Sequence, residues 1–291
     1  MPGDLHTHTN FSDGSSDIEL LPKLAARAGL THLAVSDHDT TLSAEYAYGH
    51  PVVQGVRMIP AVELTGFDVA RGRRVHLLCY WPKLTPALKE FCALMAARRN
   101  AATEKSMEEL EALYPQFCRE EAKAFSRRSG VTYKTHLIRL LFEYGYTDGI
   151  YKELYRELFG AGRGRVLHDP AYEPVQAVLE LARGTGGVMV LAHPSVYSSM
   201  ELAAQLAAQG AIDGVEIDHP RNTPQDKAAL HELARQYGLI VTGGTDFHGM
   251  HMSKPTPLGA MTTRNEMLAR IEALAQSRGR GLRHAGAAGV G

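Results

Sequence analysis

The stretch DLHTHTNFSDGSS, residues 4–16, decides how the rest of the chain is read. It carries two histidines two positions apart and an aspartate five residues after the second. On a β-strand, residues two apart point to the same face. A first strand over residues 5–9 therefore projects His6 and His8 together, with Asp13 in the loop that follows. The same device recurs near the other end in TDFH, where Asp246 and His248 follow the last predicted strand.

Between these ends the chain alternates two periodicities. Strand-like runs fall at residues 5–9, 33–36, 58–64, 75–80, 188–193, 214–218 and 239–243. Helical patterns fall at 18–28, 43–48, 200–209, 224–237 and 266–277, with Thr223 as a cap and Pro224 at the first position of one of them. Strands alternating with helices imply an α/β protein with a parallel sheet or barrel, and seven strands suggest barrel-like closure. The rhythm breaks after the fourth strand. A long helix is expected over 85–113 and shorter ones over 120–127, 136–144 and 152–158, with no convincing strand. The expected organisation is a barrel from residues 1–99 and 166–278, an all-helical insertion at 100–165, and a flexible tail at 279–291.

Composition bounds the function. With 291 residues and a net charge of −1, no global field draws the chain to long duplex nucleic acid or to a membrane. No apolar run approaches the roughly 18 residues of a membrane span. Three cysteines without a CxxC pair fit a reducing compartment, and no signal peptide precedes the opening motif, so a cytoplasmic location is expected. Nothing points to a protein partner. The notable excess is histidine, with 14 residues.

Those histidines sit at strand ends. His38 lies in VSDHDT, Glu63 in PAVELTG, His76 in VHLLCY and His193 in LAHP. In β/α barrels the C-terminal strand ends form the active-site rim. His6, His8, Asp13, His38, Glu63, His76, His193, Asp246 and His248 would therefore converge, with no lysine or arginine among them. Packed carboxylates raise one another's pKa, and a divalent cation removes that conflict. Mixed imidazole and carboxylate donors suit zinc, manganese or iron better than calcium or magnesium. Nine groups are too many for one ion and ample for two or three.

DLHTHTNFSDG, VSDHDT, PAVELTG, VHLLCY, LAHP and GTDFHG resemble, in order and residue type, the successive motifs of the PHP (polymerase and histidinol phosphatase) family. The resemblance implies a distorted seven-stranded TIM-like (β/α) barrel with up to three divalent ions, manganese first and zinc or iron as alternatives. It implies His6, His8, Glu63 and Asp246 around one ion, Asp13, His38 and His248 around a second, and His76 and His193 around a third that Glu63 bridges. All nine would act catalytically through the metals, by attack of a metal-bridged hydroxide on phosphorus. His219 and His251 are candidate proton donors, and Asp37 or Asp39 could orient an imidazole.

Substrate contacts are expected from the insertion and from one strand end. SRRSGVTYKTH, residues 126–136, gathers Ser126, Arg127, Arg128, Lys134 and Thr135, with Thr135 read as the cap of the following helix. Arg98 and Arg99 lie on the helix leading in, and HPRNTP supplies His219, Arg221 and Asn222. Cations beside a helix N-terminus suit phosphate. The layout resembles PHP members that act on 3′,5′-bisphosphonucleosides and the 5′ ends of short RNA, which implies a small nucleotide or short oligonucleotide as substrate. The alternatives are a histidinol-phosphate-type phosphomonoesterase, amide hydrolysis on the same metals, or a non-catalytic metal-binding module attached to a polymerase.

Overall fold

The computed structural model describes residues 2–287. Seven strands form one nearly closed sheet in the order β1 (Gly3–Thr7), β2 (His32–Val35), β4 (Val56–Asp68), β5 (Arg73–Tyr80), β6 (Val188–Leu191), β7 (Gly214–Asp218) and β8 (Ile240–Gly243). A two-residue strand, β3 (Val52–Val53), pairs only with the start of β4. Closure is made by main chain beyond β8. Asp246 N–H donates to the His6 carbonyl and His8 N–H to the Phe247 carbonyl, both at 2.8 Å.

The sheet is not all parallel, contrary to the simplest reading of the alternation. β5 runs antiparallel to both β4 and β6. The cause is local: only residues 69–72 separate β4 from β5, and a parallel return needs a crossover of a dozen residues or more. The reversal matters for the site. His76 lies near the start of β5, yet opposite Thr65, two residues beyond Glu63 on β4. It therefore reaches the same rim as the C-terminal ends of the other strands.

Alternation divides each strand between core and site. On β4, Ile59, Ala61 and Glu63 share a face, and on β5, Tyr80, Leu78 and His76 do. The apolar members pack with Leu5, Val188, Val190 and Ile240 in one buried cluster, closed at the far end by Leu268 and Ile271. The polar members crown it. A larger cluster lies between the strands and helices α3 (Pro86–Leu113), α7 (Val175–Gly184), α8 (Met200–Ala208) and α9 (Pro224–Tyr237). Helix α7 escaped the sequence reading, although Val175, Val178, Leu179 and Ala182 mark one helical face.

The other helices fall close to expectation: α1 (Leu21–Arg27), α2 (Leu42–Gly49), α3 (Pro86–Leu113), α4 (Arg119–Ala124), α5 (Lys134–Glu143) and α6 (Glu153–Phe159). The far part of α3 joins α4–α6 around its own apolar cluster, including Met107, Leu110, Phe117, Leu137, Leu141 and Phe159. Thr223 caps α9 by accepting from Asp226 N–H at 3.1 Å, as expected. Thr135 does not cap α5. It lies inside the first turn, Tyr133 is the N-cap, and the His136 imidazole accepts from the Tyr133 N–H at 3.2 Å. The last helix, α10 (Asn265–Ala287), continues past Gly279, where a loose tail was expected; residues 288–291 lie outside the described residues. No described helix is long and apolar enough to cross a membrane.

Candidate metal centre

Glu63 is the hub of the rim. Its Oε2 lies 3.1 Å from His6 Nε2, His8 Nε2 and His38 Nδ1. Its Oε1 lies 2.8 Å from His76 Nδ1 and 3.1 Å from His193 Nε2. Asp246 Oδ1 stands 3.5 Å from His6 Nε2, 3.2 Å from His8 Nε2 and 3.5 Å from His248 Nδ1. Asp13 Oδ1 is 3.2 Å from His248 Nε2 and 3.9 Å from His38 Nε2. All nine residues read from the sequence are thus brought into one cluster, distributed over overlapping groups of ligand spacing such as His8–Asp13–His38–His248 and His38–Glu63–His76.

Crowding alone does not indicate an ion; the unmet valences do. His6 Nε2, both His8 nitrogens, His38 Nδ1, Glu63 Oε2 and His193 Nδ1 are buried without a hydrogen-bond partner. A buried polar atom left unpaired costs about 1–3 kcal/mol. Three of these atoms, His6 Nε2, His8 Nε2 and His38 Nδ1, lie 3.1 Å from Glu63 Oε2, yet none forms a hydrogen bond with it. The donor set fits divalent cations with nitrogen and oxygen preference. Two of its residues, His193 (φ 27°) and Asp246 (φ 52°), hold left-handed backbone conformations, which cost energy and concentrate at functional sites.

The electrostatics agree. Burial works against the Glu63 carboxylate, but His6, His38 and His76 hold its pKa well below the usual range. Burial likewise opposes Asp13 and Asp246, and His248 beside each keeps both ionised. Burial lowers His193 to about 4, leaving a neutral imidazole. His8 is pushed the other way, to about 10: burial opposes the charge, and the adjacent Asp246 and Glu63 carboxylates outweigh it. Ion binding there would release protons.

The structure also supplies residues that sequence reasoning missed. Glu216 on β7 is fully buried, accepts from His6 Nδ1 at 2.9 Å and accepts the His193 N–H at 2.8 Å. It fixes the His6 tautomer so that Nε2 faces Glu63. The available signal was one acid inside the apolar run VEI, too little to stand out alone. Asp4, buried and raised to about 6 by desolvation, ties β1 to the last loop through Thr245 and Gly259.

Several residues expected at the site have partners of their own. Neither Asp37 nor Asp39 orients an imidazole. Asp37 accepts from Thr9 and Ser12 and shapes the loop that delivers Asp13, whereas Asp39 binds Arg99 and the Thr65 N–H. Asn222 is spent on main chain, bonding Glu216, Ile217 and Ser195. Ser126 bonds Thr132 and lines a separate cavity of about 360 Å³ with Asn100 and Lys123. Arg128 pairs with Glu19, and Lys134 with Asp169 at 2.6 Å. Thr135 Oγ1 is buried without a partner. His219 and Arg221 do reach the centre, at 3.4 Å and 3.3 Å from Asp246 Oδ2. The His251 imidazole bonds the Asp13 carbonyl at 2.7 Å and its ring stands 6.1 Å from that of His136.

Comparison with known proteins agrees with this geometry. The PHP domain family matches residues 4–161, just over half of the chain. A phosphoribosyl 1,2-cyclic phosphate 1,2-diphosphodiesterase from Eggerthella lenta is 35% identical, over 86% of this chain and 95% of that protein. The chain belongs to the PHP domain family. The 5′-3′ exoribonuclease Rnm of Escherichia coli is 29% identical, covering 84% of each chain. A 3′,5′-nucleoside bisphosphate phosphatase of Chromobacterium violaceum is 28% identical over 84% of this chain and 86% of that one. Among solved structures, a protein of Bifidobacterium adolescentis assigned to the metal-dependent phosphoesterases superposes with a TM-score of 0.84 at 26% identity, over 94% of this chain and 96% of that one. This PHP protein is a metal-dependent phosphoesterase, and its rim holds several groups of His, Asp and Glu that could bind the ions.

Proposed function

We propose that this PHP protein hydrolyses phosphate monoesters of small nucleotides, releasing the 3′-phosphate of 3′,5′-nucleoside bisphosphates, with 5′-end trimming of short RNA as a related activity. The observation that carries the reading is the convergence of five imidazoles on the two oxygens of Glu63, with Asp13 and Asp246 alongside. Relatives named for nucleoside bisphosphates and for RNA ends support the substrate class.

The nine rim residues would hold two or three ions, manganese first and zinc or iron as alternatives. Divalent ions held there would activate water and neutralise the phosphoryl oxygens. The chain's own contributions follow from its hydrogen bonds. Glu216 keeps the His6 Nε2 lone pair aimed at the centre. His219 Nδ1 accepts the Arg221 N–H at 3.1 Å, so its proton sits on Nε2, which faces Asp246. That Nε2–H is positioned to hold a phosphoryl or leaving-group oxygen. Residues 100–165 would act as a cap over the rim, supported by their separate apolar cluster and by the Tyr133 hydroxyl, which donates to the His38 carbonyl at 3.2 Å. The three cysteines are unpaired, which fits a reducing compartment such as the cytoplasm.

A second reading has an observation in its favour. The relative named for phosphoribosyl 1,2-cyclic phosphate is 35% identical, against 28–29% for the exoribonuclease and the bisphosphate phosphatase. A panel separates the readings. Manganese-loaded protein is offered adenosine 3′,5′-bisphosphate, a 5′-phosphorylated RNA trimer, phosphoribosyl 1,2-cyclic phosphate and histidinol phosphate. Fastest phosphate release from the bisphosphate is expected. Preference for the cyclic ester would replace the first reading with the second, and preference for histidinol phosphate would sink both.

A further inference from the structure

One wall of the site is a stack of alternating tyrosines and arginines. The Arg99 guanidinium lies 5.2 Å from the Tyr133 ring centroid and 5.8 Å from that of Tyr172. The Arg74 guanidinium lies 5.5 Å from Tyr172 and 5.1 Å from Tyr197. Both ends of the stack touch the rim. Tyr133 bonds the His38 carbonyl, and the Tyr197 ring stands 4.8 Å from the His76 ring and 5.7 Å from the His193 ring.

The two arginines differ in how their charge is met. Arg99 is bound to Asp39 and Thr65, so its cation is already neutralised. Of the other cations expected to grip phosphate, Lys134 ends on Asp169, Arg128 on Glu19, Arg98 on Glu173 and Arg221 on Asp246, while Arg127 is exposed. Arg74 forms no ion pair among the described residues. It donates one hydrogen bond, to the Tyr172 hydroxyl at 3.0 Å, out of the five N–H groups a guanidinium carries. Asp169 acts on it only through space and is spent on Lys134. Arg74 is also two residues from His76 on β5, hence on the same face of the strand. The strand that brings an imidazole to the centre therefore brings an uncompensated, half-buried cation beside it.

We propose that Arg74 anchors a second anionic group of the substrate, a phosphate that is not cleaved, while the ester to be hydrolysed lies at the rim. A planar guanidinium with free paired donors matches a phosphate bidentately, and the flanking rings keep it rigid and partly desolvated. Tyr172 and Tyr197 hold the fork in place from either side. Arg74 thereby sets a preference for substrates with two phosphates over those with one. The inference rests on the nucleotide phosphoesterase reading and names the residue that selects within that class.

The test compares adenosine 3′,5′-bisphosphate with adenosine 3′-phosphate in wild-type protein and in Arg74→Met and Arg74→Lys. Methionine keeps the apolar spacer between the tyrosines without charge; lysine keeps charge without the fork. The bisphosphate-to-monophosphate ratio of kcat/KM is expected to fall about tenfold in Arg74→Met and by less in Arg74→Lys. A ratio unchanged in Arg74→Met overturns the inference. Because a ratio is read, partial misfolding does not mimic the effect. Calorimetric affinity for the same two nucleotides, measured on metal-stripped protein, gives an answer independent of turnover. If wild type hydrolyses neither nucleotide the functional reading fails, and the affinity ratio still decides Arg74: its loss in Arg74→Met supports the anchor, its persistence overturns it.

Discussion

At the barrel rim, Glu63 faces five imidazole nitrogens within 3.1 Å, and several of the atoms involved hydrogen-bond to nothing. In the α4–α6 region several cations are paired instead: Arg119 ends on Glu104 and Glu111, Arg128 on Glu19, and Lys134 on Asp169. Both regions are rich in ionisable side chains and both leave buried atoms unpaired, Thr135 Oγ1 and His136 Nε2 in α5 among them, but among the described residues only at the rim do such atoms gather around one carboxylate. Charge density therefore does not mark the functional surface; unpaired buried atoms gathered at one point do. Arg74, two residues from His76 on β5, likewise has no carboxylate partner among the described residues.

The contrast can be broken by substitution. Glu63→Gln keeps shape and removes the charge that five imidazoles share. Hydrolysis is expected to fall at least about a thousandfold with the circular-dichroism spectrum retained. A variant keeping a tenth of the wild-type rate would mean that the hub is not a ligand. Glu216→Gln acts one step outward. It leaves every rim donor in place but weakens the grip on the His6 tautomer, so metal affinity in a chelator competition should drop about 10–100-fold. Unaltered affinity would demote Glu216 to packing.

The smallest effect belongs to the surface pairs. Arg128→Ala should cost under about 1 kcal/mol, read as a small drop in Tm, because Glu19 and Arg128 are largely solvated. Its pH dependence has a fixed sign. Arg128 lowers Glu19 from 4.5 to about 2, so the pair's stabilisation is full above 4.5 and is lost as pH falls through about 2. The Tm difference between wild type and Arg128→Ala should thus be constant from pH 7 to 5 and vanish near pH 2. A cost of several kcal/mol would show that this exposed pair, which ties Arg128 to Glu19 ahead of α1, carries more of the stability than a solvated ion pair should.

The same contrast explains what the sequence revealed. Rim residues were legible because strand periodicity and strand ends fix their direction: His6 and His8 two apart, Glu63 and His193 near strand ends, and Asp246 and His248 just after the last strand. The order of strands was legible from alternation, but alternation alone hides the reversal at β5, which the four-residue link at 69–72 imposes. Contacts in the α4–α6 region were not legible. Whether Lys134 meets a phosphate or Asp169, 35 residues away, depends on tertiary packing that no local pattern encodes. Thr135 failed as a cap for a local reason, since the helix starts one residue before it and Tyr133 takes that role. Glu216 and Arg74 escaped because each is a single charge on a strand, informative only once its neighbours are known.

The most direct measurement is a metal titration of chelator-stripped protein followed by phosphate release from a nucleotide ester. The expected result is no hydrolysis in the stripped protein, uptake of two or three manganese ions per chain, and activity returning as they bind. Stripped protein that hydrolyses the ester at the full rate and takes up no ion would contradict the account.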